Sequence, residues 1–263
     1  VSDELPDERE GATAEKKEHL YVAAVERAMR VLEAFAARPG DLGLTELADM
    51  TGLGKSAAQR FVFTWEKLGY LARDDASRRL RLTPKAIELG HSYLKGDPLI
   101  ARVAPQLGVL RDQCGLAVNL SMRRGDDMIY LLRLPSRQLT LAEMLPGRSL
   151  PAWSNASGRM LLTQCDEEAL RAMFVRQPPI HFTPRTNTDL ESLLEEIATA
   201  RERGYVMTQH QVHMNQIAVA VLATVPSGAQ VAIGIATTLD DYSPARAEAE
   251  LVPALFRTAA ALR

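Results

Sequence analysis

Residues 43–71 read GLTELADMTGLGKSAAQRFVFTWEKLGYL, and the spacing of their apolar positions decides how the rest of the chain is organised. Leu44, Leu47, Ala48 and Leu53 predict the buried side of a short helix, and Thr51-Gly52 supplies a tight turn. A second helix is expected from near Lys55, with Ala58, Phe61, Val62, Trp65 and Leu68 as its buried stripe. That stripe leaves Lys55, Ser56, Ala57, Gln59, Arg60 and Phe63 facing outward. Ser56, Gln59 and Arg60 can reach base edges, Lys55 and the helix N-terminus can meet phosphate, and small Ala57 permits close approach. Thr45 on the first helix joins these candidate DNA contacts. After Gly69, residues 70–73 and 78–83 alternate apolar and basic around Asp74-Asp75-Ala76-Ser77, which predicts a hairpin wing lined by Arg73, Arg78, Arg79 and Arg81. Taken alone, either half fits a solvated basic hairpin beside an ordinary helical pair. Together and in this order they point to DNA binding through a winged helix-turn-helix.

A chain of 263 residues with 46% hydrophobic residues has material for two compact units. Its formal net charge of −2 means that any DNA contact must come from local asymmetry, which the arginine-rich wing supplies. Cys114 and Cys165 are the two cysteines, too few for a disulfide framework or a four-cysteine zinc site; they suit a reducing cytoplasm, and each is expected as a small buried hydrophobe. No apolar run approaches the roughly 20 residues that span a bilayer, and no basic start followed by an apolar core opens the chain, so a soluble cytoplasmic protein is expected. Residues 1–19 are acidic and nearly devoid of apolar side chains, as in a disordered tail.

A helix from near Tyr21, with Val22, Val25, Met29, Leu32 and Ala36 at helical spacing, is expected to brace the reading helix and to stop at Pro39-Gly40. The winged unit then spans 20–83. Thr83-Pro84 opens a linker helix over 84–98, and residues 99–263 form the second unit. There, Leu99, Val103, Leu107 and Leu110 mark a helix ending at Gly115. Strands are predicted at 116–123 and 128–134 around a turn at Arg124-Gly125-Asp126-Asp127, with another at 138–144 and a loop at 146–151. Helices follow from near Asn155, from Asp166 to Phe174, and from a capping box at Thr188-Asp189-Leu190-Glu191 to Arg203. Strands at 205–208, 216–225 and 230–238 precede a last helix opened by Ser243-Pro244.

Val25-Glu26-Arg27-Ala28, Leu44-Thr45-Glu46-Leu47-Ala48, Thr51-Gly52-Leu53, Lys55-Ser56 and Leu68-Gly69-Tyr70 occur in an order and at gaps that resemble the DNA-binding half of the IclR family of bacterial transcriptional regulators. Arg60-Phe61, Arg81-Leu82-Thr83-Pro84, Glu88-Leu89-Gly90 and Tyr93-Leu94 are similar to the branch that senses aromatic acids such as hydroxybenzoates. The resemblance implies an α+β chain: an N-terminal winged helix-turn-helix, a helical linker and a C-terminal GAF/profilin-like α/β effector-binding domain with an antiparallel sheet. It also implies a homodimer or homotetramer, and a first helix that helps to pair DNA-binding domains, with Tyr21, Val22 and Phe35 as candidates here, core packing being the plainer reading of each. The linker helix would be a lever through which an effector changes the spacing of paired wings.

Trp153-Ser154-Asn155-Ala156-Ser157-Gly158-Arg159 matches the family's effector landmark, and Arg203-Gly204-Tyr205 marks the same domain. Backbone N–H groups near Asn155 and Ala156 could hold a carboxylate while Trp153 stacks on a ring; equally, Trp153 could be core and Asn155 a helix cap. Asn119 is a second candidate polar contact, and Met128, Tyr130, Ser154, His210, Gln216 and Thr237 complete the candidate lining. Residues 208–217 depart from the family's pattern along one wall of the expected pocket, so the resemblance does not carry a particular ligand over to this chain. His210 and His213 are three apart but have no nearby cysteine or carboxylate to complete a metal site, so no metal or other cofactor is expected. The absence of Gly-x-Ser-x-Gly, of a P-loop and of a zinc-protease helix, with no readable base for Cys165, argues against an enzyme. The expected function is a DNA-binding regulator controlled by a small-molecule effector, an aromatic or other organic acid, on a palindromic operator; the alternative is a DNA-binding oligomer whose C-terminal domain has lost effector binding and serves assembly only.

Overall fold

A computed structural model describes residues 20–136 and 145–262. The expected acidic tail and the strand expected at 138–144 lie outside these residues. The described residues form two compact units, divided between Ser92 and Tyr93.

In the first unit, α1 (Ala23–Ala37), α2 (Leu44–Thr51) and α3 (Lys55–Lys67) precede a two-stranded antiparallel hairpin of β1 (Leu71–Arg73) and β2 (Leu80–Leu82). Val31, Phe35, Leu42, Leu47, Val62, Leu71 and Leu80 form its core. Glu46 fixes the start of α2 by accepting from the Gly43 N–H at 2.6 Å, and Gly52, at φ 67°, makes the turn into α3. That conformation costs a side chain but not glycine. The wing pairs Leu71 with Leu82 and Arg73 with Leu80, closing through Asp74, whose carboxylate accepts from the Ser77 backbone and hydroxyl, both at 2.7 Å.

Two faces differ from expectation. The α1 helix buries Val31, Ala34 and Phe35, while Val22, Val25 and Met29 are exposed. The reason is tertiary: the Trp65 indole donates to the Ala28 carbonyl at 2.8 Å, which fixes the side of α1 that faces α3. Phe35 is therefore core rather than a pairing residue. On α3, Leu68 lies beyond the last helical turn and is exposed, because the helix ends at Lys67 and Gly69 turns the chain.

Helix α4 (Lys85–Gly96) runs across the boundary between the units and buries none of its residues. The second unit then contains α5 (Pro98–Cys114), β3 (Ala117–Arg124), β4 (Asp127–Leu134), β5 (Ser149–Pro151), a 3₁₀ turn (Ala152–Ser154), α6 (Ala156–Leu162), α7 (Glu167–Arg176), α8 (Leu190–Arg203), β6 (Tyr205–Gln209), β7 (Gln216–Thr224), β8 (Gln230–Thr238) and α9 (Pro244–Ala260). β5 occupies what the sequence suggested as a loop, because β4 offers it an edge, with Met128 opposite Leu150. Asp189, rather than Thr188, caps α8 by accepting from the Ser192 N–H at 2.8 Å.

All sheet pairings are antiparallel, in the order β5-β4-β3-β8-β7-β6. One face packs on α5 and α9 through Val103, Leu107, Val219, Ile233, Leu251 and Leu255. The other carries Ala218, Ala220 and Ala232 toward the 3₁₀ turn and helices α6–α8. Small residues there let α6 lie close to the sheet. A Cβ on Gly234 would stand 2.7 Å from the Ser157 hydroxyl, and one on Gly158 would stand 2.0 Å from the Ala152 carbonyl oxygen.

Candidate DNA-reading face and effector pocket

On the first unit, Lys55, Ser56, Gln59 and Arg60 are exposed along one side of α3, Ala57 is half-buried beside them, and Thr45 is exposed on α2. Among the described residues, the Lys55 and Arg60 side chains make no hydrogen bond or ion pair. Gln59 and Phe63 of α3 share a groove with Arg78 of the wing.

The four wing arginines divide into two pairs. Arg78 and Arg81 are exposed. Arg73 instead grips Glu66 of α3 through two hydrogen bonds of 3.0 Å, tying the wing to the reading helix. Arg79 donates to the Asp41 carbonyl at 2.6 Å and to Glu46 at 2.8 Å. The Gly43 N–H first, and then Arg38 and Arg79, hold the Glu46 carboxyl down at about 2. Arg73 and Arg79 thus hold the wing in place, where the sequence suggested a DNA contact for each.

On the second unit, Asn119, Tyr130, Asn155, Ala156 and Gln216 come together around one pocket on the α6 face of the sheet. Ser157 of the landmark, His213, and Arg133, Arg148 and Val212, which the sequence did not mark, also line it, together with small and apolar residues of β5, β7 and β8. The α6 helix reaches it because the Asn155 side chain accepts from the Gly158 N–H at 3.1 Å and Ser157 presses on Gly234. Asn119 is buried and accepts from Arg133 Nε at 3.1 Å. The Arg133 guanidinium lies 4.2 Å from the centre of the Tyr130 ring. Burial pushes the Tyr130 hydroxyl upward, and the charges of Arg133 and Arg148 pull it partly back.

A β-bulge makes this cluster. Tyr130 pairs with Ser121 and Leu132 with Leu120, so Leu131 is the extra residue on β4. Strict alternation would send Tyr130 and Arg133 to opposite faces. With the bulge, both stand over Ser121 and Asn119, and Leu131 and Leu132 both turn to the α5–α9 core.

Other candidates lie elsewhere. Trp153 is fully buried against Phe182, with ring centres 5.9 Å apart, and Met128 is fully buried in the same core; neither lines the pocket. The Ser154 hydroxyl is spent on the Pro151 carbonyl at 2.7 Å. His210 has φ 56° and accepts the Asn215 N–H on Nδ1 at 3.0 Å, so it shapes the loop after β6 rather than the pocket. Thr237 lines an adjacent, more open recess of about 280 Å³ that shares His213, Gln216 and Ala236 with the inner pocket; the inner space is about 40 Å³.

The loop between β6 and β7 is fastened from below. Arg159, almost fully buried, donates to the Trp153 carbonyl at 2.7 Å, to the Gln211 side chain at 2.6 Å and to Glu196 of α8. One guanidinium therefore joins the landmark turn, the departing 208–217 stretch and a helix. Burial alone lowers the Arg159 pKa, and Glu196 opposes that shift.

Residues 24–75 match the IclR helix-turn-helix domain, and residues 91–263 match the bacterial transcriptional regulator IclR C-terminal domain. The chain belongs to the IclR family. It is 29% identical over 238 residues to the Pca regulon regulatory protein of Pseudomonas putida, covering 90% of this chain and 81% of that relative. It is 26% identical over 249 residues to the p-hydroxybenzoate hydroxylase transcriptional activator of Acinetobacter baylyi, covering 92% and 91%. An IclR homolog from Microbacterium hydrocarbonoxydans, solved in complex with 4-hydroxybenzoate, shares the fold with a TM-score of 0.70 at 22% identity, over 91% of this chain and 97% of that one. This IclR-family chain is accordingly a DNA-binding transcriptional regulator, not an enzyme. No described helix is long and apolar enough to cross a membrane.

Proposed function

We propose that this regulator acts in the cytoplasm as a homo-oligomer on a palindromic operator, and that an organic acid, with aromatic acids foremost, controls its hold on DNA. The observation that carries the acid reading is the inner pocket, where Arg133, Arg148, Tyr130 and Asn119 border small apolar residues such as Ala218 and Ala236. A few polar groups around a mainly apolar floor is the usual construction of a small-molecule site. The relatives named for the Pca regulon and for p-hydroxybenzoate hydroxylase, and the homolog crystallised with 4-hydroxybenzoate, support the same class.

About 40 Å³ holds a water or two, not an aromatic ring. Binding therefore requires His213 and Gln216, which stand between the inner pocket and the open recess, to shift and join the two spaces. On the DNA side, Thr45, Lys55, Ser56, Ala57, Gln59, Arg60, Arg78 and Arg81 are the proposed contacts. The exposed Tyr21, Val22, Val25 and Met29 offer an apolar face for pairing two DNA-binding units, and residues 84–98 serve as the linker.

A gel-shift with DNA upstream of the protein's own gene, titrated with aromatic and aliphatic acids, tests this reading. Specific binding altered by one class of acid is the expected result. Specific binding indifferent to every acid would favour a C-terminal domain used for assembly alone.

A further inference from the structure

We infer that Arg148 is the receptor for the effector's carboxylate, with Arg133 and Tyr130 as its platform, and that the opposite end of the ligand points toward Gln216. The inference rests on the effector reading above and names the group that would make the pocket select acids.

Three observations carry it. First, the described lining contains two guanidinium groups and no carboxylate, so the pocket has a positive end with no acid of its own beside it. Second, the two arginines are used differently. Arg133 is engaged by the Asn119 carbonyl oxygen at 3.1 Å and sits over the Tyr130 ring, whereas the half-buried Arg148 side chain has no hydrogen bond or ion pair with any described residue. Its backbone is nonetheless fixed, since the Arg148 carbonyl accepts from the Tyr130 N–H at 3.0 Å just before β5. An unspent guanidinium on a held backbone is suited to a planar, two-oxygen anion. Third, the guanidinium groups stand at one end. Both of them, with Tyr130, belong to the β4–β5 side, next to Asn119 of β3; Gln216 and His213 belong to the β7 side, and Asn155 and Ser157 of the α6 start lie over the space between. Gly234 and Ala236 of β8, between the two ends, are small, as is Ala218 beside Gln216 on β7. From β4 to β7 is three strand steps, about 14 Å between backbones, so the two ends are separate enough to meet opposite ends of one small molecule.

The orientation makes Arg148 a specificity determinant. A carboxylate gains charge-assisted hydrogen bonds there that a neutral amide of the same shape does not, while contacts at the Gln216 end are indifferent to that exchange.

The experiment is calorimetric titration of the full chain with benzoate, 4-hydroxybenzoate and adipate, and with benzamide and 4-hydroxybenzamide as uncharged counterparts. Arg148→Met, Arg148→Lys and Gln216→Ala are compared with the unaltered protein. The unaltered protein should prefer an acid to its amide, and Arg148→Met should lose about 10- to 100-fold of the acid's affinity with little change for the amide. Arg148→Lys should recover part of the preference, because it restores a charge without the fork. Gln216→Ala should weaken acid and amide alike. Operator binding without ligand, equal in all four proteins, confirms that the variants are folded. If Arg148→Met keeps the full preference for the acid, this inference is wrong while the effector reading stands. If the unaltered protein binds no acid, both are wrong.

Discussion

Replacing Gly234 with alanine puts a methyl group 2.7 Å from the Ser157 hydroxyl and 3.5 Å from the Val219 carbonyl oxygen. The first contact is about 0.7 Å inside ordinary van der Waals distance, taken as 3.4 Å. Ser157 is itself buried and sits in the first turn of α6, which Asn155 caps, so its hydroxyl has little room to turn aside. The strain is expected to cost roughly 1–3 kcal/mol, the usual range for an added methyl in a packed interior. In a unit the size of residues 93–263 each kcal/mol lowers Tm by about 2–4 °C, so the melting of that unit should fall by about 2–12 °C.

The cause is checked by a double-mutant cycle. Ser157→Ala removes the clashing oxygen, so Gly234→Ala placed on that background should cost less than about 0.5 kcal/mol. Differential scanning calorimetry reads all four proteins, and a coupling of at least about 0.5 kcal/mol is expected. Both residues also line the inner pocket, so the double variant should regain stability while binding the acid effector more weakly. If Gly234→Ala costs as much with Ser157 removed as with it present, the close approach of α6 to β8 does not set the pocket wall.

Other outcomes follow from the same geometry. The Glu46 carboxyl is held at about 2 against 4.5 in its ordinary state, so the stability it confers is present above about pH 4.5 and is lost as pH falls toward 2. An acid titration of thermal melting should show this slope in the DNA-binding unit and a shallower one in Glu46→Gln. Arg60→Ala should relax operator specificity by about 1–3 kcal/mol if the side chain reads a base, as compared across operator variants. Arg79→Ala should lower the melting of the DNA-binding unit as well as affinity, because Arg79 holds Glu46 and the Asp41 carbonyl; a pure loss of affinity with unchanged melting would contradict the clamp. Arg159→Met leaves the buried Trp153 carbonyl without its Arg159 donor, at about 1–3 kcal/mol, and leaves the Gln211 side chain held by the Asn187 N–H alone on that side, so proteolysis should then cut first between β6 and β7.

The elements were legible from residues 43–83 and from most of the second half because helices and strands are local. Gly52, Gly69, Gly115 and Gly204 stand where a left-handed turn is required, and Asp166, Asp189 and Ser243 cap the helices that follow them. The reading helix was legible for the same reason. Its outward residues follow from a period of 3.6 once Ala58 and Val62 are known to be inside. The face of α1 was less so, since two apolar stripes compete along it and only the Trp65 bond to Ala28 chooses between them.

The sequence alone determined the winged motif and the family, and it named five of the residues that border the inner pocket, Asn119, Tyr130, Asn155, Ala156 and Gln216. Tertiary structure decided which polar groups are spent and which remain to meet a ligand. Arg73 and Arg79 look like DNA contacts in the sequence, and in the fold each is bonded to a carboxylate, because Glu66 and Glu46 are brought to them by folding. Trp153 looks like a ligand platform and is sealed under Phe182. Arg133 could not be placed beside Tyr130 from sequence, because alternation assigns them opposite faces and the bulge at Leu131, a property of the paired strands, reverses that assignment. Periodicity is written in one segment at a time; the company a charged side chain keeps is set by segments that meet only when the chain is folded.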